Sequence, residues 1–215
     1  MKTILAYGDS LTYGANPSGG PRHAYQDRWP SALEAGLSGK ARVIAEGLGG
    51  RTTASDDWYA AADRNGARIL PTLLESHSPL DLVIIMLGTN DLKPAICGSA
   101  LEASFGMRRL VYIIRGHYAG RGEPVPQILL MAPPLIAQGE NADMMGHFGG
   151  YAHGLEQSRQ FAEHYARRAE ELGTGFFDAG SVAKADPQDG VHLDAGNTRA
   201  IGAGLVPVVT SMLGL

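Results

Sequence analysis

The chain has a single cysteine, Cys97, among its 215 residues. No disulfide can therefore close within it, and such scarcity of thiols fits a reducing compartment. Long apolar runs are missing too: none approaches the ~20 residues that a membrane-spanning helix needs. The opening segment MKTILAYGDS carries only five apolar residues before Gly8, too few for the core of a signal peptide. A soluble, cytoplasmic protein is expected. Basic clusters are scarce, with nothing longer than the pairs Arg108–Arg109 and Arg167–Arg168, and the net charge is −4. That balance argues against a nucleic-acid partner. There is no G-x-S-x-G elbow, no P-loop and no G-x-G-x-x-G motif, which sets aside the standard α/β-hydrolases and the common nucleotide cradles. Internal repeats and low-complexity tracts are absent as well.

What is present reads as one globular domain over residues 1–215, with 44% hydrophobic and 19% charged residues. Short apolar runs recur: TILAY (3–7), RVIAE (42–46), DLVIIML (81–87), QILLMA (127–132) and GFFDA (175–179). Their apolarity is continuous, not alternating, as in strands buried on both faces of a parallel sheet. Helical spacing lies between them. Trp29, Leu33 and Leu37 form one stripe, and Ile69, Leu70, Leu73 and Leu74 another. Leu101, Phe105, Val111 and Ile114 allow a third, and Phe161, Tyr165, Ala169 and Leu172 precede a stop at Gly173. Ile201, Leu205, Val209 and Met212 suit a last helix that Pro207 should kink or break. Residues 13–27 and 133–154 look like long loops, and a structureless stretch of that length is often a lid or binding loop. Alternating strand and helix predict a three-layer α/β/α sandwich. In such folds ligands bind beyond the carboxyl ends of the strands.

Those strand tails carry the chemistry. The first ends in Gly8-Asp9-Ser10, the second in EGLGGRTT (46–53), the third in GTND (88–91), and DPQDGVHLD follows the fifth. Brought to one edge, they supply a hydroxyl, glycine amides, a carboxamide and a carboxylate–imidazole pair, the parts of an acyl-transfer site. A serine hydroxyl is a weak nucleophile until a base takes its proton. His192 can do so, with Asp189, three residues earlier, holding the other ring nitrogen. Candidate donors to an oxyanion are the backbone N–H of Ser10, the backbone N–H of Gly50 and the side-chain amide of Asn90. Simpler roles stand beside these. Ser10 could cap a helix, Gly49 and Gly50 could be turn residues, and Asn90 could make an Asx turn. Asp186 and Asp194 compete with Asp189 for the imidazole.

The blocks GDSLT, GLGGRTT, GTND and DGVH, spread in this order from residue 8 to residue 192, resemble the signature blocks of the SGNH (GDSL) hydrolases. The stretches EGLGGRTT, SPLDLVIIMLGTND and FFDAGSV are similar to the small bacterial arylesterase and acyltransferase branch. The resemblance implies a five-stranded parallel, flavodoxin-like sheet and hydrolysis of short-chain esters, with neither metal nor cofactor. It implies nucleophile Ser10, base His192 and acid Asp189, with oxyanion donors from Ser10, Gly50 and Asn90. Some members of the branch form homo-oligomers and pass acyl groups to alcohols or peroxide. They tend to carry an aromatic just after the nucleophile block, where this chain has Ala15. Gly50 stands where the branch often has alanine and keeps the same amide.

Further expectations concern the surroundings. Asp9 and Asp91 are read as scaffolding, and Arg51 as bracing the second block against Glu46 or Asp56. Trp58 and Tyr59 are candidates for substrate contact. Met144, Met145, Phe148 and Tyr151 are candidates to wall an acyl pocket, to pack a lid or to make an oligomer contact. His147 and His153 are read as loop residues, not metal ligands. An acetylated sugar is a rival substrate to small acetates. Outside enzymes, the alternative is a flavodoxin-like module binding flavin or phosphate.

Overall fold

The computed structural model of the protein describes residues 1–215. Five strands, β1 (Lys2–Gly8), β2 (Ala41–Gly47), β3 (Leu82–Met86), β4 (Gln127–Ala132) and β5 (Gly175–Asp178), form one sheet. All pairings are parallel, and the spatial order is β2-β1-β3-β4-β5. The apolar runs make strands because both of their faces are covered. Leu5, Tyr7, Val83, Ile85, Ile128 and Leu130 point to one side, and Ile4, Ala6, Leu82, Ile84, Leu129 and Met131 to the other. Alternate strand residues face opposite ways, so two cores require apolar residues at every position.

The first core is closed by α3 (Gly66–His77), α4 (Ala100–Arg121) and α7 (Phe161–Leu172), which contribute Leu70, Leu74, Leu110, Ile114, Phe161 and Tyr165. The second is closed by α2 (Trp29–Gly36) and α8 (Ala195–Leu213), through Trp29, Leu33, Ile201, Leu205 and Val209. Burial of each such large side chain contributes roughly 1.5–3 kcal/mol. The sheet with helices on both faces is the architecture that the sequence pattern predicts. No helix is long and apolar enough to cross a membrane.

Two local expectations are corrected. Pro207 lies inside α8 without ending it. The carbonyl it leaves unbonded belongs to Ala203, four residues earlier, and both residues are exposed, so water can take the place of the lost bond. The stretch 133–154 is not a structureless loop. It contains α5 (Ala142–His147), capped by the Asn141 side chain on the Met144 amide, and the start of α6 (Tyr151–Ser158). Short length hid the period: α5 has six residues, and Gly149 and Gly150, both at positive φ, separate the two helices.

Register sets up the site. Gly8 lies opposite Gly47 of β2 and Met86 of β3, so the segments leaving β1, β2 and β3 emerge at one level of the sheet.

Candidate active site

The short helix α1 (Ser10–Tyr13) follows β1 at once, and Asp9, not Ser10, caps it: its Oδ1 accepts the Leu11 amide at 2.9 Å. The capping role offered for Ser10 thus falls to its neighbour. Ser10 Oγ lies 3.0 Å from His192 Nε2, and His192 Nδ1 lies 2.5 Å from Asp189 Oδ2. The other oxygen of Asp189 accepts the Val191 and His192 amides at 2.9 and 2.8 Å. Burial alone would raise the pKa of Asp189, but the His192 ring and these amides more than offset it, and the carboxyl lies below its ordinary range. The two competing acids are occupied elsewhere. Asp194 caps α8 through the Asn197 amide, and Asp186 accepts the Gln188 amide.

The loop that carries Asp189 and His192 is held by the segment after β4. Ala137 N donates to Gly190 O, Glu140 N to Pro187 O and Asn141 N to Gln188 O, at 2.8, 2.8 and 3.2 Å. Gly190 has a φ of +77°, and a Cβ there would lie 2.5 Å from the Ala137 carbonyl oxygen. Only glycine fits so close an approach in this backbone conformation. The start of the long segment is therefore a brace for the imidazole loop.

On the other side of Ser10, the turn after β2 presents Gly50 at φ +80°, with its N–H donated to no protein acceptor. Asn90 opens the turn after β3 (Asn90–Leu92), and its Nδ2 donates one hydrogen to the Arg51 carbonyl at 3.1 Å. A primary amide has two hydrogens, so one is left over.

Arg51 does brace this block, but not against an acid. Its Nη1 donates to the carbonyls of Gly8 (2.8 Å) and Glu46, and its guanidinium lies 4.3 Å from the centre of the Tyr7 ring. Arg51 is the buried donor that meets carbonyls at the ends of two strands. Asp91 ties the second and third blocks together by accepting the Thr53 amide and, at 2.5 Å, the Thr53 hydroxyl. Asp9 and Asp91 are fully buried, and Asp9 Oδ2 has no partner. Burial raises Asp9 to about 6 despite the Leu11 amide. It raises Asp91 to about 7 despite the Thr53 bonds, with the charge of Asp9 adding to the rise.

Ser10, Gly50, Asn90 and His192 line one cleft of about 550 Å³, together with Ala15, Met144 and Phe148. Tyr151 and Met145 are not in its wall. Trp58 and Tyr59, 86% and 90% exposed, do not line it either. Two residues that the sequence reading passed over do: Arg64 and Lys93. Lys93 stands three positions after Asn90, a spacing that could have flagged it, whereas Arg64 belongs to no motif. Chemically, a hydroxyl, an imidazole and a carboxylate in series can move a proton from oxygen to nitrogen, and the unspent amide hydrogens beside them can receive negative charge.

Residues 6–198 match the model of the GDSL-like Lipase/Acylhydrolase family. Among solved structures, a carbohydrate acetylesterase family member from Sinorhizobium meliloti is 54% identical, with a TM-score of 0.95 and coverage of 100% of both chains. A further carbohydrate acetylesterase from Sinorhizobium meliloti is 38% identical, with a TM-score of 0.92 over 99% of this chain and 100% of that one. The native aryl esterase of M. smegmatis is 39% identical, with a TM-score of 0.91 over 99% and 100% of the two chains. No curated protein matches the sequence.

Proposed function

Because the chain belongs to the GDSL-like lipase/acylhydrolase family and is a carboxylic ester hydrolase, we propose that it cleaves short-chain esters through an acyl-enzyme on Ser10. The observation that carries this reading is the series Asp189–His192–Ser10, with contacts of 2.5 and 3.0 Å at the wall of the cleft. Ser10 Oγ attacks the ester carbonyl while His192 Nε2 takes its proton. Asp189 holds the ring by Nδ1 and favours the imidazolium that forms. The carbonyl oxygen becomes an oxyanion, received by the Ser10 amide, the Gly50 amide and the spare hydrogen of Asn90. His192 then returns the proton to the departing alcohol, leaving the acyl group on Ser10. Water, deprotonated by the same imidazole, attacks the acyl carbon and releases the acid and free Ser10.

Any alcohol that reaches the acyl-enzyme competes with that water. Ala15 in the wall, in place of the aromatic expected in acyl-transferring relatives, supports hydrolysis as the dominant outcome and acyl transfer as a minor one. A second reading, deacetylation of a sugar, is favoured by the likeness to two Sinorhizobium meliloti carbohydrate acetylesterases. One comparison tests both: initial rates on 4-nitrophenyl esters from C2 to C12, with an acetylated monosaccharide alongside. A maximum at C2–C4 is expected, and a maximum at C8 or longer contradicts the short-acyl reading. Faster release of acetate from the sugar than from the aryl ester transfers the assignment to the sugar.

A further inference from the structure

The cationic side chains of this molecule sort cleanly by partner. Arg68, Arg108, Arg121, Arg168, Arg199 and Lys2 pair with carboxylates. Arg22, Arg28, Arg51 and Arg115 donate to backbone carbonyls. The rest make no ion pair or hydrogen bond. Of these, Arg42, Arg109, Arg159, Arg167, Lys40 and Lys184 are exposed and solvated. Only Arg64 and Lys93 are both unpaired and half-buried, and both line the Ser10 cleft.

Withdrawing a cation from water without giving it a partner is unfavourable. Here it happens twice in one cavity. The two charges also act on each other: burial lowers the pKa of Lys93, the charge of Arg64 lowers it further, and Asp57, Asp9 and Asp91 oppose both from beyond ion-pair reach. No carboxylate pairs with the ammonium, and the Phe148 ring lies 5.9 Å from it. Arg64 lies against the oxyanion turn, where a Cβ on Gly50 would stand 3.2 Å from its Nε. An anionic group seated between Arg64 and Lys93 would meet two charged donors and would lie next to the scissile bond.

We propose that Arg64 and Lys93 form an anion-recognition pair, and that the preferred ester carries a carboxylate or similar anionic oxygen group close to the ester bond. This deepens the reading of Ser10 as nucleophile and rests on it. Guanidinium binds carboxylate through two parallel N–H donors, while ammonium acts as a point charge. The pair thus suits a planar anion held by its oxygens. Neutral esters would still reach Ser10 but would leave both cations unpaired.

The test uses two matched substrate pairs that differ in charge. One is 4-acetoxybenzoate against 4-acetoxybenzamide, with the charge on the leaving group. The other is mono-4-nitrophenyl succinate against 4-nitrophenyl butyrate, with the charge on the acyl group. kcat/KM is measured for the wild type, Arg64→Gln, Lys93→Met and Ser10→Ala. The charged-to-neutral ratio of at least one pair should fall about tenfold in each cation variant, the effect of one lost charge-assisted contact. In the wild type, raising the salt concentration should lower the same ratio. Equal losses on charged and neutral members of both pairs would overturn the inference, since the cations would then serve only the oxyanion. A Ser10→Ala enzyme that keeps its rates overturns the nucleophile reading instead, and the two failures are told apart by that arm.

Discussion

The carboxylate of Asp189 closes its own turn around His192. One oxygen lies 2.5 Å from the ring Nδ1, and the other takes the backbone amides of Val191 and His192. One group therefore fixes both the loop and the ring. Asp189→Asn keeps the amide-accepting oxygen and removes the negative charge that selects the tautomer. A fall of about 10⁴-fold in kcat is expected, as for the acid of other serine triads. Asp194→Asn, which keeps a good helix cap, should retain wild-type kcat on 4-nitrophenyl acetate. Equal losses in the two variants would mean that the acid has been misassigned.

Gly190 touches no substrate in this account, yet its size matters. With φ at +77° and backbone 2.5 Å from where a Cβ would stand, Gly190→Ala must push the imidazole loop off its brace. Destabilisation of about 1–3 kcal/mol is expected, read as a lower midpoint in urea unfolding. kcat should fall more than KM changes, because the imidazole moves while the cleft walls formed by the β1, β2 and β3 tails stay in place. A variant with wild-type stability and wild-type kcat would show that the brace carries no load.

The buried acids Asp9 and Asp91 make stability depend on pH. Their folded-state values, about 6 and about 7, lie above the ~3.9 of an unfolded aspartate. Between those limits the native state binds more protons than the unfolded chain, so stability falls as pH rises. No further loss is due to them above about pH 8. Asp9→Asn keeps an oxygen for the Leu11 amide and removes one of the two charges. The drop in unfolding free energy from pH 5 to pH 8 should shrink by on the order of 1 kcal/mol. A steeper drop in the variant would contradict the sign.

Much of this was readable from the sequence, for physical reasons. The strands were legible because both faces of the sheet are covered, which forces continuous apolar runs such as LVIIM in β3. Ser10, Gly50 and Asn90 were legible because each stands within four positions of a strand end, where parallel topology must bring them together, and Asp189 and His192 because a carboxylate three residues before a histidine can fold back onto its ring. Helix α5 was hidden because six residues make less than two turns, and α6 because its buried face is made by Gly154 and Ser158, which show no apolar stripe. Arg51 was misread because a sequence displays charges and not the unbonded carbonyls of Gly8 and Glu46 that this arginine meets. Arg64 and Lys93 were missed for a related reason: what distinguishes them is the absence of a partner, and partners are fixed only by the fold.

The central claim is that Ser10 forms a covalent bond to the acyl group, and Ser10→Ala tests it most directly. The small change at a half-buried position should leave the unfolding midpoint within a few degrees of wild type. kcat on 4-nitrophenyl acetate should fall by up to about 10⁶-fold, with the remainder due to binding and oxyanion donors alone. A folded Ser10→Ala enzyme that hydrolyses the ester at near wild-type rate would contradict the account.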